Sequence, residues 1–120
     1  MKLSDGELRL MELLWESTQT LTAREVSQMA ADRIGWNKNT TYTVLTKLVA
    51  KEALRREEPG FRCIPLITRA DVQRTEASSL LQRLFGGSKR ALLSSLLEDE
   101  PLSEAEAAAL HEMIDHSTGE

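Results

Sequence analysis

The sequence predicts a mainly α-helical fold built from two modules, with one short β-hairpin between the third and fourth of six helices. Apolar residues recur at three- and four-residue spacing through six segments, as they do on one face of an α-helix. A Pro-Gly pair that follows charged residues and precedes apolar ones indicates the hairpin. Four of the five aromatic residues lie within residues 1–69, whereas Leu and Ala dominate residues 70–120. We therefore predict one module over residues 1–69 and another over residues 70–120.

Length and composition restrict the class of protein. A chain of 120 residues with 41% hydrophobic and 28% charged residues is expected to fold as one small domain, or as a small domain with an appendage, rather than as a two-domain enzyme. Its single cysteine, Cys63, cannot form an intramolecular disulfide or a multi-thiolate metal site, and we expect a reducing cytoplasm as its compartment. Charges interrupt the N-terminal segment, and no run of about 18 apolar residues follows, so we expect neither a signal peptide nor membrane insertion.

Charge is distributed unevenly between the two modules. The whole chain carries a net charge of −4, but residues 1–69 carry +2 and residues 70–120 carry −6. Within residues 37–62 the net charge is +3. The first module is thus the part that can face a polyanion such as nucleic acid, whereas the second is not.

The first three helices are each predicted from an apolar stripe and a capping residue. We place them at about residues 5–17, 23–34 and 38–52. Glu25 lies three residues after a capping threonine and completes a capping box, and Gly35 is expected to end the second helix. The predicted N-caps are Ser4, Thr22 and Asn37.

The segment after Leu54 no longer has helical spacing. Charged residues at 55–58 precede Pro59 and Gly60, and aromatic or aliphatic residues return within 61–65. This pattern predicts a short hairpin. Three helices followed by a hairpin form a winged helix-turn-helix, in which the hairpin is the wing.

The second module is predicted to hold three more helices. The first spans about residues 69–85, the second lies between Ser88 and Pro101, and the third begins at a capping box that starts with Ser103. We expect the tail, residues 116–120, to fray.

The apolar stripes of this second module are rich in leucine, and about 50 residues rarely supply a self-sufficient core. We therefore predict a dimerisation region in which the stripes pack against a second copy of the chain. The alternative is that they pack onto the N-terminal module of a monomer. The predicted interface residues are Leu80, Leu81, Leu84, Leu92, Leu93, Leu96, Leu97, Leu110, Met113 and Ile114.

The sequence contains no convincing set of catalytic or metal-binding residues. Cys63 has no histidine near it in the sequence and is most simply a packing residue. His111 and His116 are five residues apart, which is not the i,i+4 spacing that allows two imidazoles of one helix to bind a metal. We therefore predict no enzyme activity, no metal and no cofactor.

The third helix has an unusual outward face, because threonine recurs there despite its low helix propensity. Short hydrogen-bonding and methyl-bearing side chains backed by cations suit a recognition helix in the major groove of DNA. The alternative is a threonine-rich surface helix that binds nothing. The predicted base-contacting residues are Asn39, Thr40, Tyr42 and Thr43. The predicted phosphate-contacting residues are Thr22, Arg24, Lys38, Thr46, Lys47 and Arg62.

Residues 36–51, WNKNTTYTVLTKLVAK, resemble the penicillinase-repressor family, the bacterial winged-helix repressors of β-lactamase and methicillin-resistance genes. Residues 3–16, 84–88 and 102–104 are similar to other segments of that family. The resemblance implies a winged-helix DNA-binding domain, a helical dimerisation region, and repression of transcription by a homodimer bound to palindromic double-stranded operator DNA. By position, it places the family's base-contacting residues at the four positions named above and a phosphate-facing residue at Lys47.

The chain also departs from the family. Antibiotic-responsive members carry Lys and Arg or Gln in the recognition helix where this chain has Asn39 and Tyr42, so the operator that is read is expected to differ. A sensor protease is a partner of those members and cuts an Asn-Phe bond, which aligns here with Ser95-Leu96. The related copper-responsive repressors bind metal through C-terminal cysteine pairs, which this chain does not have.

An alternative function belongs to a different class. In it, the winged helix is a protein-interaction module without DNA binding, whose threonine-rich face binds a partner protein and whose leucine stripes bind a partner helix.

Overall fold

The structure, a computed structural model, describes residues 1–118. Over this range the chain forms six α-helices and three short β-strands, and the predicted mainly α-helical fold, with a winged helix-turn-helix in its first part, is confirmed. The elements are α1 (Asp5–Glu16), β1 (Leu21–Thr22), α2 (Ala23–Ile34), α3 (Lys38–Ala50), β2 (Leu54–Glu57), β3 (Arg62–Pro65), α4 (Arg69–Phe85), α5 (Lys89–Asp99) and α6 (Glu104–Thr118).

The first three helices begin at the predicted caps. Ser4 and Thr22 each form a complete capping box, and the Asn37 side chain accepts a hydrogen bond of 2.8 Å from the Thr40 amide. Caps of this kind each stabilise a helix by about 1 kcal/mol. Gly35 adopts the left-handed conformation, with φ of 73°, and ends α2. Local signals thus fix where α3 begins.

The wing contains one more strand than the sequence predicts. β3 lies in the middle of an antiparallel sheet of order β1-β3-β2. Leu21 pairs with Cys63, and Thr22 pairs with Arg62. A two-residue strand is too short to show an alternating pattern, so β1 could be found only from the tertiary structure. By pairing with β3, it covers a backbone edge that the hairpin alone would expose.

The first three helices and the sheet enclose one hydrophobic core. Trp15 is half-buried beside this core, and its indole Nε1 donates a hydrogen bond of 2.9 Å to the Ile67 carbonyl oxygen, which ties α1 to the segment before α4. Val72, in the first turn of α4, is also part of the core. The largest fully buried side chains are Leu10, Met11, Val26, Thr41, Leu45, Leu48, Leu54 and Cys63.

The buried carboxylate of Glu7 links the start of α1 to the end of α3. The Glu7 side chain is only 4% exposed, and its Oε1 atom lies 2.6 Å from the Lys51 ammonium, which also donates to the Lys2 carbonyl oxygen. Burial alone raises the pKa of Glu7. The hydrogen bonds from Lys51 and Ser4 and the charge of Lys51 together outweigh burial, so the pKa lies below its ordinary value. The start of α1 is thereby fastened to the end of α3.

The chain divides into two compact units, Met1–Ser78 and the part from Ser79 onward. This division lies within α4, and the boundary predicted after residue 69 stays a prediction. Ser88 and Ser103 cap α5 and α6 as predicted. The expected fraying at 116–120 is wrong for residues 116–118, because α6 continues to Thr118, and residues 119 and 120 lie outside the described range.

The second unit leaves its apolar side chains accessible in the single chain. Neither α5 nor α6 contains a buried residue. Of the predicted interface residues, Leu84, Leu96 and Met113 are 64%, 61% and 65% exposed. A groove of about 430 Å³ runs along these helices. Its lining is formed by Leu93, Leu97, Leu102, Ala107, Leu110, His111, Met113, Ile114 and Ser117.

Candidate nucleic-acid interface

One face of α3 anchors the helix, and the opposite face is free to contact a ligand. Thr41 and Leu45 on the inner face are fully buried. Asn39, Thr40 and Thr43 on the outer face are exposed. Packing therefore presents three of the four predicted base-contacting side chains together on one polar surface.

The fourth predicted base-contacting residue, Tyr42, is in a different environment. It is half-buried against the core, and its ring centroid lies 6.0 Å from that of Phe61 in an edge-to-face arrangement. The Lys38 ammonium lies 5.7 Å from the Tyr42 ring centroid. The position of the tyrosine ring thus depends on the wing as well as on α3.

Three predicted phosphate ligands have unpaired charges. Arg24, Lys38 and Lys47 are exposed. Within residues 1–118, no carboxylate oxygen lies within 4.0 Å, the limit for an ion pair, of a charged nitrogen atom of these three side chains. Their charges are available to an anion from outside the chain.

The other three predicted phosphate ligands are already engaged. Arg62 on the wing lies 3.3 Å from a carboxylate oxygen of Glu57, so part of its charge is balanced. The Thr22 hydroxyl donates to Glu25, and the Thr46 hydroxyl donates to the Tyr42 carbonyl oxygen at 2.9 Å. Either hydroxyl must give up this bond before it can donate to a phosphate oxygen.

A groove of about 510 Å³ lies between α2 and α3 and is lined by both Arg24 and Lys38. Ser27 and Gln28 of α2 also line it, and the sequence did not single them out. Polar residues on the outward face of a helix are ordinary, so nothing in their spacing could have marked them. Trp36 also lines this groove. Its indole ring lies close to Gly6, because a Cβ added at Gly6 would be 3.2 Å from the ring.

The turn of the wing has an unusual backbone. Gly60 and Phe61 both have positive φ angles, of 86° and 52°. The Phe61 carbonyl oxygen accepts a hydrogen bond of 2.8 Å from the Ala23 amide, and the Phe61 amide donates to Glu58. Hydrogen bonds from the Arg56 side chain and the Phe61 amide lower the pKa of Glu58. These bonds hold the turn against the start of α2.

Cys63 has the environment of a packing residue rather than a nucleophile. It lies buried on β3, and burial raises the pKa of its thiol to about 11. In the described part of the chain, no three His, Cys, Asp or Glu side chains are grouped so that they can hold a metal ion. The same residues include no helix with the length and hydropathy that a membrane crossing requires.

Three helices, a small sheet and an outward polar face on α3 define the winged helix-turn-helix class, in which the second helix of the helix-turn-helix typically enters the major groove of DNA. Within this class, residues 3–116 match the family model described as Penicillinase repressor, and the chain belongs to the penicillinase repressor family. This is a family of transcriptional repressors and not of enzymes.

Relatives and a solved structure agree with this assignment. The chain is 27% identical to the penicillinase repressor of Bacillus licheniformis over 116 residues, which are 95% of this chain and 90% of that protein. It is 24% identical to an uncharacterised 16.5 kDa protein in the ptsI 3′ region of Latilactobacillus sakei, over 94% of this chain and 78% of that one.

Among solved structures, the solution structure of the DNA-binding domain of the repressor BlaI matches with a TM-score of 0.54 and 29% identity. The match covers 58% of this chain and 87% of that domain. Together these likenesses support a DNA-binding transcriptional repressor.

Proposed function

We propose that the protein represses transcription by binding a palindromic operator as a homodimer, with α3 of each copy in the major groove of one half-site. The observation that carries the proposal is the exposed polar face of α3 beside three cations that have no ion-pair partner within residues 1–118. Such a surface offers hydrogen-bonding groups for base edges and charges for phosphates.

The proposal assigns different tasks to the two sets of residues. The Asn39 amide is suited to the two hydrogen-bonding groups of adenine in the major groove, and the methyl groups of Thr40 and Thr43 are suited to the thymine methyl group. Arg24 and Lys47 contact phosphates and supply affinity that does not depend on sequence. Lys38, Arg62, Thr22 and Thr46 are the remaining phosphate-contacting candidates.

The second unit supplies the proposed dimer interface. Its leucine-rich helices contain no buried residue in the single chain, which favours a partner surface of the same kind. A two-fold dimer sets the two copies of α3 one helical turn of DNA, or a multiple of it, apart, and its symmetry is matched by a palindromic site. The acidic second half is expected to point away from DNA, and the proposed setting is the bacterial cytoplasm.

The experiment is an electrophoretic mobility shift on the DNA upstream of the protein's own gene, at two salt concentrations, with the mass in solution measured in parallel. A shift by a dimer that weakens steeply with salt is the expected result, because each phosphate contact releases counterions. If that promoter is not shifted, the same protein is used to select binding sites from random DNA. A monomer that enriches no sequence would overturn the proposal and favour a protein-interaction module.

A further inference from the structure

Four side chains form a row that runs from the start of α3 to the wing. The Lys38 ammonium lies 5.7 Å from the Tyr42 ring centroid, and the Tyr42 ring meets the Phe61 ring edge to face, with an interplanar angle of 88°. The Arg56 guanidinium lies 4.0 Å from the Phe61 ring centroid. Each contact has the geometry of a favourable aromatic or cation–π interaction. We call these four residues the aromatic row.

Phe61 occupies a backbone position that does not suit it. Its φ of 52° is in the left-handed region, which residues other than glycine rarely adopt, and bulky ones least of all. Hydrogen bonds to Ala23 and Glu58 hold the backbone there. The side chain is only half-buried, so filling the core does not by itself account for an aromatic residue at this turn.

The contacts of Phe61 join α3, which carries the proposed base-contacting residues, to the wing. On one side is Tyr42, in the helix that carries Asn39 and Thr43. On the other side is Arg56 of the wing, whose charge is shared with Glu58. An edge-to-face contact restricts the orientations that the tyrosine ring can adopt. Removing the Phe61 ring should therefore allow the Tyr42 ring more orientations, while the exposed residues of α3 stay unchanged.

We infer that Phe61 is a positioning residue for sequence readout: it fixes the orientation of the Tyr42 ring on α3 and thereby couples the wing to this helix. The inference rests on the proposed function, since it requires that α3 reads DNA. Phe61 acts through Tyr42, so its contribution depends on the tyrosine being present.

The test is a double-mutant cycle on the full-length chain, with Phe61→Leu, Tyr42→Leu and the double variant bound to the operator selected by the wild-type protein. Phe61→Leu is expected to weaken binding by about two- to tenfold, the range that the coupling of one aromatic pair implies. It should also relax the base preference at the position that Tyr42→Leu relaxes. In the Tyr42→Leu background, Phe61→Leu should have little further effect.

Phe61→Tyr is the matched control, because it keeps the ring and should retain wild-type affinity and preference. Thermal unfolding of each variant separates a binding loss from a folding loss, and Phe61→Met, which keeps an apolar side chain, replaces Phe61→Leu if the latter does not fold. A base preference unchanged in the folded variant would overturn the inference, as would losses that multiply in the double variant. Failure of the proposed function is distinguishable, because the wild-type protein would then select no DNA.

Discussion

At the scale of single residues, the side chains of α3 differ in what they can recognise. The Asn39 amide has a donor and an acceptor that match one base in the major groove, whereas the Lys47 ammonium is a charge that any phosphate can satisfy. Both are exposed, and the difference between them is chemical rather than positional.

We therefore predict different effects of Asn39→Ala and Lys47→Ala on binding to the operator that the wild-type protein selects. Asn39→Ala should remove about 1–3 kcal/mol of discrimination at one base position, because a bidentate contact is lost there. Lys47→Ala should weaken binding to all sequences about equally and lower the slope of log affinity against log salt by about 1. Quantitative binding to the operator and its single-base variants at several salt concentrations measures both effects. Equal behaviour of the two variants would contradict the assigned roles.

Glu7 gives a prediction about stability and pH. Glu7→Gln should lower the free energy of unfolding by about 1–2 kcal/mol at neutral pH, less than for a fully buried pair because Lys51 is partly exposed. Since the pKa of Glu7 is lowered in the folded protein, its contribution is present above the unfolded pKa and is lost as the pH falls through the folded one. Denaturant unfolding at pH 7 and at about pH 3 should show that the difference in the free energy of unfolding between wild type and Glu7→Gln becomes smaller in acid.

Glu16→Gln is the control for this comparison. Glu16 is paired with Arg33, and both side chains are more than half exposed, so the variant should behave nearly like the wild type. If the free energy of unfolding of Glu7→Gln differed from that of the wild type by the same amount at both pH values, the charge of the Glu7 carboxylate would not be what stabilises the fold.

At the scale of elements, the turn between α2 and α3 sets where the outward face of α3 begins. Gly35 has a φ of 73°, and apart from Gly35 and its two chain neighbours no residue has an atom within 4 Å of a Cβ built there, so the requirement for glycine is conformational and not due to crowding by other residues. Gly35→Ala should lower the free energy of unfolding by about 1–2 kcal/mol. Gly35→Asn should lower it less, because asparagine tolerates this conformation. Thermal unfolding measures both, and equal losses would argue against backbone strain as the cause.

The elements also show what a sequence can and cannot predict. The helices and their caps were predictable, because Ser4, Thr22 and Asn37 each accept a hydrogen bond from an amide only three residues away. β1 was missed because two residues carry no periodicity, and its pairing partner lies about 40 residues further along the chain. The exposed face of α3 was correctly predicted from its apolar stripe.

The same limit applies to the candidate site. The contact between Tyr42 and Phe61 joins residues from two elements, and no local pattern encodes it. The ion pair that engages Arg62 was also hidden, because the arrangement of charges across the wing depends on strand register. The sequence therefore predicts candidate residues, and the structure shows which of their charges and hydroxyl groups are engaged by other groups within residues 1–118.

At the scale of the whole molecule, the proposal requires a second copy of the chain. Leu96→Glu should weaken dimerisation by about tenfold or more, because burying an unpaired carboxylate costs well over 1.4 kcal/mol. Ala91→Glu, on the opposite side of α5, adds the same charge at an exposed position and should leave the dimer intact. Sedimentation equilibrium gives both masses. A dimer unaffected by Leu96→Glu would place the interface elsewhere.

The buried thiol of Cys63 can be used to measure opening of the wing. Cys63 is on the middle strand of the wing, and a thiol with a pKa of about 11 is almost entirely protonated at neutral pH and reacts slowly. Reaction with a thiol reagent therefore requires the wing to open. The proposed function places Arg62 of the folded wing against DNA, so operator binding should stabilise the closed wing and lower the labelling rate of the native chain. An unchanged rate with saturating DNA would mean that the wing opens as freely in the complex. No label needs to be engineered, since this is the chain's single cysteine.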